Sequence, residues 1–76
     1  MKIEIYSREN CRFCDLAKKY FNEKELTYTE IKIDADSRQS LVDRVVSKTG
    51  IEPRTVPQIF IDDEYVGGYD DLIKLY

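Results

Sequence analysis

Two residues in this chain can do covalent redox chemistry, and they sit three positions apart. Cys11 and Cys14 are the only cysteines among 76 residues, in the run Cys11-Arg12-Phe13-Cys14. Thiols at that spacing fall within one helical turn, so they can close into a disulfide and open again. A bridge that closes a loop of a few residues removes little chain entropy and is a poor staple. The spacing therefore favours reactivity over stabilisation. Only a thiolate attacks a disulfide, and a free cysteine has a pKa of ~8.5, so something must hold one sulfur as an anion.

The local pattern supplies that something. Phe13, Leu16, Ala17, Tyr20 and Phe21 recur at helical spacing, which predicts a helix starting at or just after Cys11. At that end, unpaired N–H groups and the positive end of the helix dipole favour an anion. Arg8 and Arg12 add fixed positive charge, and all three effects are expected to lower the Cys11 pKa. Cys14 falls one turn on and less exposed, where it can hydrogen-bond to the Cys11 thiolate. Cys11 thus reads as the nucleophile and Cys14 as the resolving thiol. A pair of small buried residues is the weaker reading, because Cys11 belongs to a polar turn. A zinc site wants four ligands, and the chain offers two cysteines and no histidine.

The remaining elements must carry this pair. Residues 2–6 alternate, with Ile3 and Ile5 on one face and Lys2, Glu4 and Tyr6 on the other, as a strand does. Ser7-Arg8-Glu9-Asn10 reads as a polar turn. A second alternating strand is expected over 27–33, with Ile31 and Ile33 inward. Asp36 and Gln39 resemble a capping box for a second helix with Leu41, Val42, Val45 and Val46 on its stripe, stopped at Thr49-Gly50. A connection with two prolines leads to the strand Gln58–Ile61, a tight turn at Asp62-Asp63-Glu64, and a returning strand at Tyr65-Val66. After Gly67-Gly68 a last helix can start near Asp70. The order is β-α-β-α-β-β-α over one domain, 1–76. It implies an α/β architecture: a four-stranded mixed sheet, its first two strands parallel and its last two a hairpin, flanked by three helices.

Two further stretches could build a groove beside the cysteines. Pro57 cannot donate to a sheet ladder. It reads equally as an ordinary strand-entry proline or as a cis-proline that frees the Val56 N–H and C=O for an extended, peptide-like ligand. Gly67-Gly68 allows close backbone approach. Asp70 at a helix start reads first as a plain cap, and alternatively as a partner for an ammonium, with the adjoining N–H groups taking a carboxylate. Glutathione carries both groups at its γ-glutamyl end, and Arg8 could meet its glycyl carboxylate.

Composition narrows the classes. The net charge is −3 with no long basic run, so nucleic-acid binding is unsupported. No stretch is apolar and long enough for a membrane span, and a charge interrupts the first apolar run, unlike a secretory signal. A reducing cytoplasmic setting follows, where such a cysteine pair is catalytic or metal-binding more often than structural. With 42% hydrophobic residues a core forms, but one worth only about 3–5 kcal/mol.

Cys11-Arg12-Phe13-Cys14, Thr55-Val56-Pro57 and Gly67-Gly68-Tyr69-Asp70-Asp71 together resemble, in order and spacing, the signature segments of the glutaredoxins. The resemblance spans nearly the whole chain. It implies a thioredoxin-like fold and a glutathione-dependent oxidoreductase, a monomer, that reduces protein disulfides and glutathione mixed disulfides, with ribonucleotide reductase among the family's substrates. By position, Cys11 matches the nucleophile and Cys14 the resolving cysteine. Pro57 matches a cis-proline, with Val56 pairing to the cysteinyl part of glutathione. Thr55, Gly68, Tyr69 and Asp70 fall at the γ-glutamyl site, Phe13 forms an aromatic wall, and Arg8 meets the glycyl carboxylate. The family's usual Pro-Tyr between the cysteines is replaced by Arg12-Phe13, which implies a shifted redox potential. Members without that proline sometimes share a glutathione-ligated [2Fe–2S] cluster between two subunits, with the position of Cys11 as ligand. A thioredoxin-like electron donor that uses no glutathione is the other alternative. The last helix, ending by Tyr76, is expected to be short.

Overall fold

A computed structural model describes residues 1–76. The elements are β1 (Ile3–Ser7), α1 (Arg12–Glu23), β2 (Thr29–Lys32), α2 (Ala35–Thr49), β3 (Gln58–Ile61), β4 (Glu64–Gly67) and α3 (Tyr69–Leu75). They form one sheet in the order β2-β1-β3-β4. β1 pairs with β2 in parallel and with β3 antiparallel, and β3 with β4 antiparallel. This is the expected β-α-β-α-β-β-α arrangement.

Strand alternation sorts the core into two layers. Ile3, Ile5, Ile59 and Ile61 face Ala17 and Phe21 of α1 and Leu72 of α3. Tyr6 and Phe60 point the opposite way, against Leu41 and Val45 of α2. Helices thus cover both faces, and every residue of β3 is buried, as a central strand requires. The register sets Ile5 opposite Ile59 and Tyr6 opposite Gln58.

Electrostatic ties fix the helices to this sheet. The Arg44 guanidinium of α2 donates to both Glu4 carboxylate oxygens, at 2.8 and 3.2 Å, and to Asp63 at 3.0 Å. Its charge lies 3.9 Å from the centre of the Phe60 ring, a cation–π geometry. On the other side, Lys18 of α1 donates to Glu30 of β2 at 2.8 Å, and so does the hydroxyl of Ser7 at 2.6 Å.

Five local readings are corrected. Ser7 is not in a polar turn; it is the last residue of β1 and fully buried, because Glu30 satisfies its hydroxyl. The second strand is shorter than 27–33. α2 starts earlier than the Asp36–Gln39 pattern suggested: Asp34 is the N-cap, accepting from the Ser37 N–H at 2.9 Å, while the Ser37 hydroxyl accepts from the Asp34 N–H at 2.8 Å. Gln39 instead donates to Asp43. Phe13 leaves the apolar stripe of α1 and is 52% exposed, because Cys14 takes the inward place in the first turn; in α2 the stripe likewise narrows to buried Leu41 and Val45, with Val46 exposed.

The stops behave as their residue types require. Gly50 ends α2 at φ 75°, the left-handed conformation glycine adopts freely. The β3–β4 turn is built on Asp62 and Asp63 at φ 52° and 65°, a short-turn geometry that aspartate tolerates.

Candidate active site

The site begins where β1 ends. Five residues of strand carry the chain to the end of β1, a turn through Asn10 at φ 55° follows, and α1 begins at once. Cys11 is the N-cap of α1, in extended conformation. Its carbonyl accepts from Asp15 N–H at 3.1 Å. Its Sγ accepts from the Cys14 N–H at 3.2 Å, so a free helix-end donor points at this sulfur.

Cys11 and Cys14 are bonded to each other, with Cα atoms 5.2 Å apart. Their exposures differ: Cys11 is half-buried and Cys14 fully buried. An incoming thiol therefore reaches Cys11 first. Against Cys11 lies the loop before β3. The Val56–Pro57 bond is cis, and the Val56 carbonyl oxygen is 3.7 Å from Cys11 Sγ. The Val56 N–H has no partner within the chain, so one donor of an extended backbone is open beside the reactive sulfur.

A groove of about 410 Å³ runs from this point. Phe13, Thr55, Val56, Pro57, Gly68, Tyr69 and Asp70, all expected at the site, line it. The Phe13 and Tyr69 rings close one wall, 6.2 Å apart. Arg8 is not in this groove. It lines an adjoining cleft that shares Thr55 and Val56 as its wall.

Two lining residues escaped the sequence reading, Gln58 and Tyr65, and a third, Asp71, entered it only as part of the signature segment. Buried Gln58 donates to the Thr55 carbonyl at 2.8 Å and accepts from the Tyr65 hydroxyl. Burial, and then the Asp71 carboxylate, push the Tyr65 hydroxyl above its ordinary pKa, which keeps it a donor. Asp71 accepts from the Gly68 N–H at 3.3 Å. Gln58 looked like part of an apolar strand, and only its polarity amid Ile59-Phe60-Ile61 could have flagged it. Of the two glycines, Gly67 is the one the backbone needs, at φ 116° and with the Asp71 carboxylate where a Cβ would go. Gly68 is extended and a side chain there would meet only ordinary contact.

The arrangement can exchange disulfides: one accessible sulfur, one shielded partner, and an open backbone donor to align a second chain. No group of three or more His, Cys, Asp or Glu side chains is gathered to hold a metal ion. A redox-competent pair set against a cis-proline loop, on this mixed sheet, places the chain among the thiol–disulfide oxidoreductases of thioredoxin fold.

Known proteins narrow the class. The Glutaredoxin family model matches residues 3–66. Glutaredoxin 3 of Escherichia coli K12 is 37% identical over 73 residues, which cover 96% of this chain and 83% of the relative. The crystal structure of glutaredoxin 1 from Francisella tularensis, complexed with cacodylate, superposes with a TM-score of 0.81 at 38% identity, over 96% of this chain and 88% of the other. A buckwheat glutaredoxin–glutathione complex superposes with a TM-score of 0.76 at 27% identity, over 95% and 64% of the two chains. The chain belongs to the glutaredoxin family.

Proposed function

We propose that this protein is a glutathione-dependent reductase of protein disulfides and glutathione mixed disulfides. The observation that carries the reading is the difference between the two sulfurs: Cys11 half-buried at a helix start, Cys14 sealed behind it.

In the reduced protein the Cys11 thiolate takes the hydrogen bond of the Cys14 N–H. It attacks one sulfur of the substrate disulfide, forms a Cys11–substrate disulfide, and releases the other substrate sulfur as a thiolate that picks up a proton. The Cys14 thiol then loses its proton and attacks Cys11 Sγ. The substrate leaves reduced and the Cys11–Cys14 bridge forms. One glutathione thiolate opens that bridge at exposed Cys11, with Cys14 as leaving group. A second attacks the glutathione sulfur of the adduct, giving oxidised glutathione and the Cys11 thiolate.

Glutathione lies along the groove in this reading. Val56 pairs through its N–H and C=O with the cysteinyl unit. Thr55, Gly68, the Tyr69 backbone and Asp70 take the γ-glutamyl end, Phe13 walls it, and Arg8 reaches the glycyl carboxylate from the adjoining cleft. The relative from buckwheat, crystallised with glutathione, supports the choice of ligand.

Turnover of a glutathionylated peptide with glutathione and glutathione reductase tests the activity. No turnover, with efficient reduction by thioredoxin reductase, would replace it by a carrier that uses no glutathione. For the residue roles, Cys14→Ser protein treated with oxidised glutathione should gain a single glutathione adduct, mapped by mass to Cys11. A glutathione-ligated [2Fe–2S] dimer would instead make Cys11 a metal ligand; a protein that stays colourless after cluster reconstitution would count against that reading.

A further inference from the structure

Two grooves of opposite charge meet at the segment Thr55-Val56. The larger is lined by the carboxylates of Asp70 and Asp71 and by no basic residue. The smaller, of about 120 Å³, is lined by Arg8, Arg38 and Arg54, with Leu41, Val42 and Pro53 among its apolar walls and no acidic residue.

The three arginines are free. None forms an ion pair or a side-chain hydrogen bond within the chain, whereas Arg44 is fully engaged and four of the lysines are paired. Their sequence separation is wide, so the fold gathers them: Arg8 from the β1–α1 loop, Arg38 from α2, Arg54 from the loop before β3. Three exposed guanidiniums on one cleft make a positive patch that attracts an anion. A single glycyl carboxylate can satisfy one bidentate arginine; Arg38 and Arg54 then remain.

We infer that this cleft selects protein substrates with acidic residues immediately C-terminal to the reacting cysteine. A substrate strand paired with the Val56 backbone must cross from one groove to the other at Cys11. Its direction rests on the glutathione reading above: with the γ-glutamyl end at Asp70, the residues following the cysteine lie over the arginines. Residues preceding it face Asp70 and Asp71, where acidic side chains are repelled.

The test uses the reduced 76-residue chain and no glutathione. Symmetric peptide disulfides carry three glutamates after the cysteine, three glutamates before it, or three serines after it. Formation of the Cys11–Cys14 disulfide gives a second-order rate for each. Comparing wild type with Arg38→Glu/Arg54→Glu protein cancels the intrinsic reactivity of each peptide. The reversal should slow the peptide with glutamates after the cysteine about tenfold at low salt, and much less at about 0.5 M salt. The serine peptide should change less than about twofold. Equal slowing of all three peptides, or none, would overturn the inference. Slowing confined to the peptide with glutamates before the cysteine would overturn the direction and, with it, the placement of glutathione. Failure of every peptide to oxidise the protein would overturn the oxidoreductase reading and this inference together.

Discussion

Cys11 and Cys14 are chemically the same residue, and their surroundings alone divide the work. The sulfur at the helix cap receives an N–H from the next turn and faces solvent; the other receives neither. Similar reasoning singles out Tyr65. Its hydroxyl donates to Gln58, which holds the Thr55 carbonyl, so the loop that presents Val56 is braced from β4. Tyr65→Phe keeps the ring packed at a tilt against Phe60, 5.3 Å away between centres, and removes only the brace. Folding stability should fall by about 1 kcal/mol. The KM for a glutathione disulfide substrate should rise severalfold, with kcat nearly unchanged. Steady-state kinetics and a thermal melt together check this, and an unchanged KM would mean that the loop needs no brace.

At the scale of elements, the site depends on how α1 and α3 are anchored. Glu30 joins β2 to β1 through Ser7 and to α1 through Lys18. The hydrogen bond from Lys18, then that from Ser7, hold its carboxyl below its ordinary pKa of 4.5. A carboxyl with a lowered folded pKa stabilises the fold fully above its unfolded pKa, and the contribution is lost as pH falls through the folded value. Glu30→Gln should therefore cost about 1 kcal/mol at neutral pH. The gap to wild type should close as pH falls below about 4, in urea melts taken across that range. Lys18 runs the other way: Glu30 raises its pKa first of all, so its share persists until strongly alkaline pH. Gly67 is the other anchor. Its backbone conformation and the Asp71 carboxylate beside it leave no room for a side chain. Gly67→Ala should destabilise by about 1–3 kcal/mol, visible as a lowered Tm. Gly68→Ala, in ordinary contact with the Pro57 carbonyl, should cost markedly less.

The whole molecule has little stability to spare. A domain of this size buries only about 60% of the surface its unfolded chain exposes, so single core residues weigh heavily. Phe21 has no exposed surface and packs against Tyr20 and Tyr28 within the α1 layer. Phe21→Ala should cost about 3–5 kcal/mol, a large part of a typical total of about 5 kcal/mol for a small domain. Circular dichroism should find this variant largely unfolded near 37 °C. Charge is organised at the same scale: the chain is acidic overall, yet Arg8, Arg38 and Arg54 converge on one cleft against Thr55 and Val56.

The elements were legible because their signals are local. Period-two and helical spacings, Gly50 after Thr49, and turn residues at Asp62-Asp63 each reflect neighbours within a few positions. The reactive pair was legible for the same reason, since Cys11 and Cys14 share one turn. The remaining site segments were read through family resemblance, because residues alone left Pro57 and Asp70 open. What the sequence by itself determined is the order of elements, the two-sided core and the position of Cys11 at a helix start. Only the tertiary structure decided that Arg8 turns away from the main groove to join Arg38 and Arg54, that Gln58 and Tyr65 brace the Val56 loop, and that Phe13 leaves the apolar stripe of α1. Those outcomes depend on specific side-chain contacts, some between residues far apart in the chain, whose free energies are set by burial and distance and leave no periodic trace in the order of amino acids.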